Sequence, residues 1–194
     1  MINDDNIKKA IVIAKNELKQ CYDDKGIIAG TDHFSDYWAR DGFFACFGSF
    51  TLNNIEIISK QINLFFSYQR KDGMLPYKIM NGPITIGKYF GNPPKKFKTP
   101  RPEYKLRGIL QDIYDGTTLS LLFLSLLGLK REKIDNDLIT KAKKAFSYLN
   151  KKEKYGLLWD GVMSEWNDTA YKYGIYSILI LFIGMLQKNF MNLL

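Results

Sequence analysis

Cysteine and histidine are nearly absent from this sequence. Two cysteines, Cys21 and Cys46, and a single histidine, His33, occur among 194 residues. Two cysteines cannot form the disulfide framework of a small secreted protein. One histidine without a cysteine cluster cannot build a usual zinc site, so we predict no metal site. We expect Cys46 to pack as a small apolar residue and His33 to have a structural or simple polar role.

The sequence also shows neither the pattern of a signal peptide at its start nor an apolar run long enough to span a membrane. Residues 1–5 are acidic and lack the basic start and apolar core of a signal peptide. The apolar run 173–187 is shorter than the roughly 20 residues that a membrane-spanning helix needs. We therefore expect a cytoplasmic protein without a membrane partner.

Basic residues exceed acidic ones, 28 to 20, which gives a formal net charge of +8. Such an excess can indicate an anionic partner. The lysines are spread along solvent faces and loops, however, and only Lys95–Arg101 forms a cluster. We expect no nucleic-acid partner. A helical scaffold that binds protein or RNA through this cluster is one alternative.

Apolar periodicity predicts helices that are alternately amphipathic and apolar all round. The amphipathic ones are Asn6–Tyr22 (stripe Ile7, Ala10, Ile11, Ala14, Leu18), Asn53–Gln69 (stripe Ile55, Ile58, Ile62, Phe65, Phe66) and Leu138–Leu149 (stripe Ile139, Ala142, Ala145, Phe146, Leu149); the apolar ones are Asp41–Phe50, Gly116–Leu129 and Asp168–Leu186. An all-round apolar helix is buried, and a one-faced helix covers it. The pattern predicts an all-α toroid of helical hairpins. We expect one domain over residues 1–194, with a proline-rich surface loop inserted at about 71–111.

Each predicted inner helix opens on a similar motif, in which aromatic residues precede an aspartate. The three motifs are Tyr37-Trp38-Ala39-Arg40-Asp41, Tyr114-Asp115-Gly116 and Trp166-Asn167-Asp168. An aspartate at a helix start can simply cap free backbone N–H groups. The arginine and the aromatic rings exceed what capping requires. Because all three motifs precede inner helices, we expect them to converge at one end of the toroid.

These motifs resemble those of glycoside hydrolases with an (α/α)6 barrel, especially glucoamylases and the amylo-α-1,6-glucosidase domain of glycogen debranching enzymes. Gly156-Leu157-Leu158 and Tyr171-Lys172-Tyr173-Gly174 fit the same pattern, and the resemblance covers roughly Asp32 to Gly184. It implies cleavage of α-glucosidic bonds in an oligosaccharide or polysaccharide, by an inverting mechanism that requires no cofactor.

The resemblance also implies roles for individual residues. Arg40 and Asp41 would hold hydroxyls of the bound sugar by charge-assisted hydrogen bonds, with Asp115 nearby. The rings of Tyr37, Trp38, Trp159 and Trp166 would stack on sugar faces. Asp168 would be the general acid, with Glu165 as the competing candidate. A helix N-terminus lowers the pKa of a carboxylate, whereas a general acid needs a raised pKa, so Asp168 would need desolvation by an apolar neighbour.

The sequence departs from that family in its number of helices. A complete barrel has twice as many helices as we predict here, so we expect the N-terminal half of one. An inverting enzyme needs two carboxyl groups ~6.5–9.5 Å apart, and the second must then come from Asp41, Asp115, Asp160 or Glu165. The expected partner is the missing second half of the barrel. A carbohydrate-binding remnant without catalysis is the other alternative.

Overall fold

The computed structural model describes residues 4–31, 34–83, 96–105, 112–154, 157–160 and 174–175. The described helices are α1 (Asp4–Gln20), α2 (Ala39–Thr51), α3 (Ile55–Ser67), α4 (Asp115–Leu129) and α5 (Asn136–Asn150). The described strands are β1 (Tyr37–Trp38), β2 (Lys78–Met80), β3 (Arg101–Glu103), β4 (Glu153–Lys154), β5 (Leu157–Asp160) and β6 (Gly174–Ile175). The predicted helical class is confirmed as mostly helical. Within this part of the chain, no helix is long and apolar enough to cross a membrane.

Helix α4 lies at the centre of the core. Twelve of its fifteen residues are buried, from Asp115 through Leu127. Phe123 stacks on Phe43 at 5.4 Å and on Phe50 at 5.9 Å, and meets Phe47 edge-on at 4.7 Å. These three rings span the length of α2, so α2 and α4 pack side by side. The prediction of a helix buried on all faces is confirmed for α4.

The amphipathic helices α3 and α5 cover this pair through one face each. In α3, Ile58, Ile62, Phe65 and Phe66 are buried as predicted, whereas Ile55 is only half-buried. In α5 the buried residues are Ala142, Ala145, Tyr148 and Leu149, so the predicted stripe is confirmed except that Ile139 and Phe146 are half-buried.

Helices α1 and α2 are less covered than their sequences predict. Helix α1 has no buried residue, and its predicted stripe is exposed except for the half-buried Leu18. Helix α2 buries Phe43 and Cys46 but leaves Phe44 48% and Phe47 41% exposed. Its expected all-round burial is therefore wrong. Periodicity identifies the apolar face of a helix but not whether a neighbouring element covers it.

Two small antiparallel sheets complete the described part and were not predicted. In the first, β2 lies between β1 and β3, with Trp38 opposite Lys78 and Ile79 opposite Pro102. In the second, β5 lies between β4 and β6. Residues 73–82 are largely buried, so the start of the predicted surface loop belongs to the core. The predicted helix Asp168–Leu186 lies outside the described residues.

Candidate functional site

The start of α2 is fixed by the first sheet. Strand β1 leads directly into the helix, and the backbone N–H of Ala39 donates a 2.8 Å hydrogen bond to the carbonyl oxygen of Tyr77. Arg40 and Asp41 follow in the first turn, where Arg40 is half-buried and Asp41 is exposed. A charged pair is thus held at the edge of the core rather than on a mobile loop.

The start of α4 is fixed by the same segment of chain. Asp115 is the first residue of α4 and is 8% exposed. Gly116 is so close to the carbonyl oxygen of Pro76 that an added Cβ would overlap that oxygen. The backbone N–H of Leu75 donates a 3.0 Å hydrogen bond to the hydroxyl oxygen of Thr117.

The starts of α2 and α4 therefore lie beside each other. Tyr77 contacts the first residue of α2, and the adjacent Pro76 contacts the second residue of α4. Because the two helices also share the Phe123 contacts, they run in the same direction from this end. The structure thus brings Arg40 and Asp41 to the same end of the core as Asp115.

Tyr37 and Trp38 have different environments within this arrangement. Tyr37 is 0% exposed, and its hydroxyl donates a 2.9 Å hydrogen bond to Asp23. A ring buried in this way supports the start of α2 rather than presenting a face to a sugar. The half-buried Trp38 ring meets Tyr77 edge-on at 5.9 Å, and the ammonium of Lys78 lies 4.6 Å from its centroid.

Lys78 is buried, which is rare for a lysine unless it is paired. Its ammonium lies 3.1 Å from a carboxylate oxygen of Asp36, whose other oxygen accepts a 2.7 Å hydrogen bond from the backbone N–H of Asn81. Asp36 thus joins Lys78 of β2 to the backbone that follows this strand. This ion pair fixes the segment that precedes α2.

Asp23 connects Tyr37 to Lys96 of the insertion, because its carboxylate accepts hydrogen bonds from both side chains. Burial raises the pKa of Asp23, but hydrogen bonds from Asp24, Lys96 and Tyr37 outweigh burial and hold that pKa well below its ordinary value. The ammonium of Lys96 donates to Asp23 at 2.8 Å. The pKa of Tyr37 is raised by burial and by its bond to Asp23, so the phenol stays protonated.

Asp112 forms a second charged cluster just before α4. It accepts hydrogen bonds from the hydroxyl of Tyr148 at 2.7 Å and from the guanidinium of Arg70 at 3.1 Å. Burial raises the pKa of Asp112, but these two donors outweigh burial and lower it. Arg70 also pairs with Asp72, which raises the pKa of the guanidinium further. Asp112 is therefore an ionised anchor three residues before Asp115.

The third predicted motif cannot be placed. Asp168, Glu165 and Trp166 lie outside the described residues, as does His33. Trp159 belongs to β5, where its backbone is opposite Ile175. The described residues contain no group of three or more potential metal ligands.

Sequence reasoning missed the residues that join the two helix starts. Pro76 and Tyr77 were assigned to the predicted surface loop at 71–111, and the buried pair of Lys78 and Asp36 was not recognised. The small size of Gly116 was the one local signal of close packing, since glycine permits close backbone approach. Its contact with Pro76 spans forty positions and has no local signature.

Part of this chain matches a known protein family. Residues 8–89 match the family model of amylo-alpha-1,6-glucosidase. The matched range contains most of α1 and all of β1, α2, α3 and β2. The match confirms that this segment is close to the glycogen debranching enzyme domain that the motifs resemble. Comparison with curated proteins and with solved structures gave no significant match.

Proposed function

We propose that this chain is part of a glycoside hydrolase that cleaves α-glucosidic bonds in a glucoamylase- or debranching-type reaction. The observation that carries the proposal is the common location of the starts of α2 and α4. The Pro76–Tyr77 segment contacts both helix starts. We propose that Arg40, Asp41 and Asp115, which lie at these starts, together bind one sugar ring. A neutral polyol is bound best by such charge-assisted, bidentate hydrogen bonds.

The proposed mechanism is inversion at the anomeric carbon. One carboxylic acid protonates the glycosidic oxygen, and a second carboxylate activates the water that attacks the opposite face of the sugar. Asp168 is the proposed acid and Glu165 the competing one; Asp41, Asp115, Asp160 and Glu165 are the candidate bases. Trp38, Trp159 and Trp166 are proposed to contact sugar faces, with Tyr37 supporting them from the core.

The activity is tested by incubating the chain with maltose and with isomaltose. We expect release of glucose, initially as the β-anomer, because inversion changes the configuration at the cleaved α-bond. Proton NMR during the first minutes distinguishes the two anomers. Asp168→Asn and Glu165→Gln assign the acid, since replacing the acid abolishes turnover while sugar binding persists. A rise in melting temperature with maltose but no glucose would instead indicate a carbohydrate-binding remnant, or a half barrel that is inactive without its second half.

We also propose that the described helices form part of a toroid that other helices complete. The shared direction of α2 and α4 supports this architecture, as does the nearly complete burial of α4. Helix α2, with five of its thirteen residues buried, is less covered than α3, with seven. The exposed apolar side chains of α1 and α2 mark the surface where further helices would pack. Leu18 at the end of α1 lies against Gly48 of α2, so the two helices are neighbours there.

This surface predicts a measurable exposure of apolar groups in the isolated chain. We define the α1–α2 apolar surface as Ile7, Ile11, Phe44 and Phe47, which are 41–48% exposed. Phe44 and Phe47 are neighbours, with ring centroids 6.1 Å apart, and exposed apolar patches of this kind mark interaction sites. We expect the isolated chain to bind the dye ANS and to self-associate, and Ile11→Glu or Phe44→Glu to reduce both.

Ser147→Glu on the exposed face of α5 is the matched control, because it adds the same charge away from this surface. A compact monomer that binds no ANS would contradict the proposed incomplete toroid.

A further inference from the structure

The Asp112 cluster joins three separated parts of the chain at the start of α4. Its carboxylate contacts Tyr148 on α5, Arg70 just beyond α3, and Lys105 at 3.8 Å near the end of the insertion. The side chain of Asp112 is 14% exposed and that of Arg70 30%. Burying charges in this way offers little net stability compared with apolar packing. A role in fixing local geometry is a better explanation.

The geometry that the cluster fixes is the entry into α4. Tyr148 contacts this entry twice, through its hydroxyl on Asp112 and through its ring, which meets the ring of Tyr114 edge-on at 6.2 Å. Ile113, between Asp112 and Tyr114, is 1% exposed, and its backbone N–H donates a 3.1 Å hydrogen bond to the carbonyl oxygen of Tyr104. Every residue from Asp112 to Tyr114 is therefore held in place before Asp115 begins the helix.

We propose that Asp112 and Tyr148 are positioning residues for Asp115 and thereby determine the affinity of the site for sugar. This inference rests on the proposed function. Asp115 is held on its other side by the contacts of Gly116 and Thr117 with the Leu75–Pro76 segment. The Asp112 cluster supplies the second support, so its loss shifts Asp115 without removing any group that touches the sugar.

The test compares two tyrosine-to-phenylalanine variants in the same cluster. Tyr148→Phe removes the hydroxyl that binds Asp112 but keeps the ring against Tyr114. Tyr104→Phe is the matched control, because it removes a hydroxyl that donates to the carbonyl oxygen of Tyr68. It keeps the aromatic ring of residue 104, whose centroid lies 5.4 Å from the guanidinium carbon of Arg70. Maltose binding is measured by calorimetry, and the melting temperature of each variant is measured without sugar.

We expect Tyr148→Phe to weaken maltose binding about tenfold, because small displacements of binding groups have effects of up to about 100-fold. Asp112→Asn should weaken it similarly, since it removes the charge that holds Arg70. Tyr104→Phe should bind maltose as the wild type does, even at a similar loss of melting temperature. Equal affinities in all three variants, or losses that simply follow melting temperature, would overturn the inference. A wild-type chain that binds no maltose would instead refute the proposed function, and this inference with it.

Discussion

Replacing Arg40 by alanine should weaken maltose binding about 100-fold. A hydrogen bond to a charged group contributes about 1.5–3 kcal/mol, and a bidentate guanidinium makes two of them. A loss of about 3 kcal/mol corresponds to about 100-fold in the dissociation constant. Arg40→Lys should recover little of this affinity, because an ammonium lacks the planar fork that binds two hydroxyls together.

We expect the loss of maltose affinity to exceed any loss of melting temperature, which separates a binding role from a structural one. Arg40 is the second residue of α2, and a cation in the first helical turn opposes the helix dipole by about 0.3–1 kcal/mol. Removing the charge of Arg40 therefore removes an unfavourable interaction with the helix dipole. Lys60→Ala is the charge-matched control, since Lys60 forms an exposed pair with Glu56 on α3. Unchanged maltose affinity in Arg40→Ala would favour the helical scaffold over the sugar site, as would binding to RNA with a strong salt dependence.

Replacing Gly116 by alanine should destabilise the fold by about 3 kcal/mol, the upper part of the usual range for overpacking. In an ordinary helix this change would stabilise by about 1 kcal/mol. Here the added methyl group overlaps the carbonyl oxygen of Pro76. That carbonyl cannot move easily, because the backbone N–H of Tyr77 is bonded to Glu103 at 3.0 Å and that of Leu75 to Thr117.

Thermal unfolding measures this effect, with an expected fall in melting temperature of about 6–12 °C for a chain of this size. Gly30→Ala is the control, because a Cβ there would lie 3.8 Å from the Cβ of Phe34, an ordinary van der Waals contact. A loss below about 1 kcal/mol in Gly116→Ala would mean that the two helix starts are not packed on the Pro76–Tyr77 segment. The result therefore tests the joint location of the helix starts without using any ligand.

The helices were predictable because their signal is local. Ile58, Ile62 and Phe65 recur at helical spacing and are buried, and α4 is apolar on every face. The stripe of α1 has the same periodicity but is exposed. Spacing establishes which side chains share a face, whereas burial depends on what packs against that face. This second requirement has no signature in the sequence of the helix itself.

The strands and the joining segment were not predictable for a related reason. Strands of two to four residues are too short to show a clear alternation, and the pairing of Trp38 with Lys78 spans forty positions. The charged residues of the candidate site were recognisable one motif at a time. Their common location depends on the contacts of Pro76 and Tyr77, which only the folded chain displays.

A crystal structure of the chain with bound maltose would show whether Arg40 and Asp115 bind the same sugar. We predict one sugar ring within hydrogen-bond distance of both residues, at the end of the core where Pro76 and Tyr77 join α2 to α4. A sugar bound elsewhere, or contacting only one of the two helix starts, would contradict it.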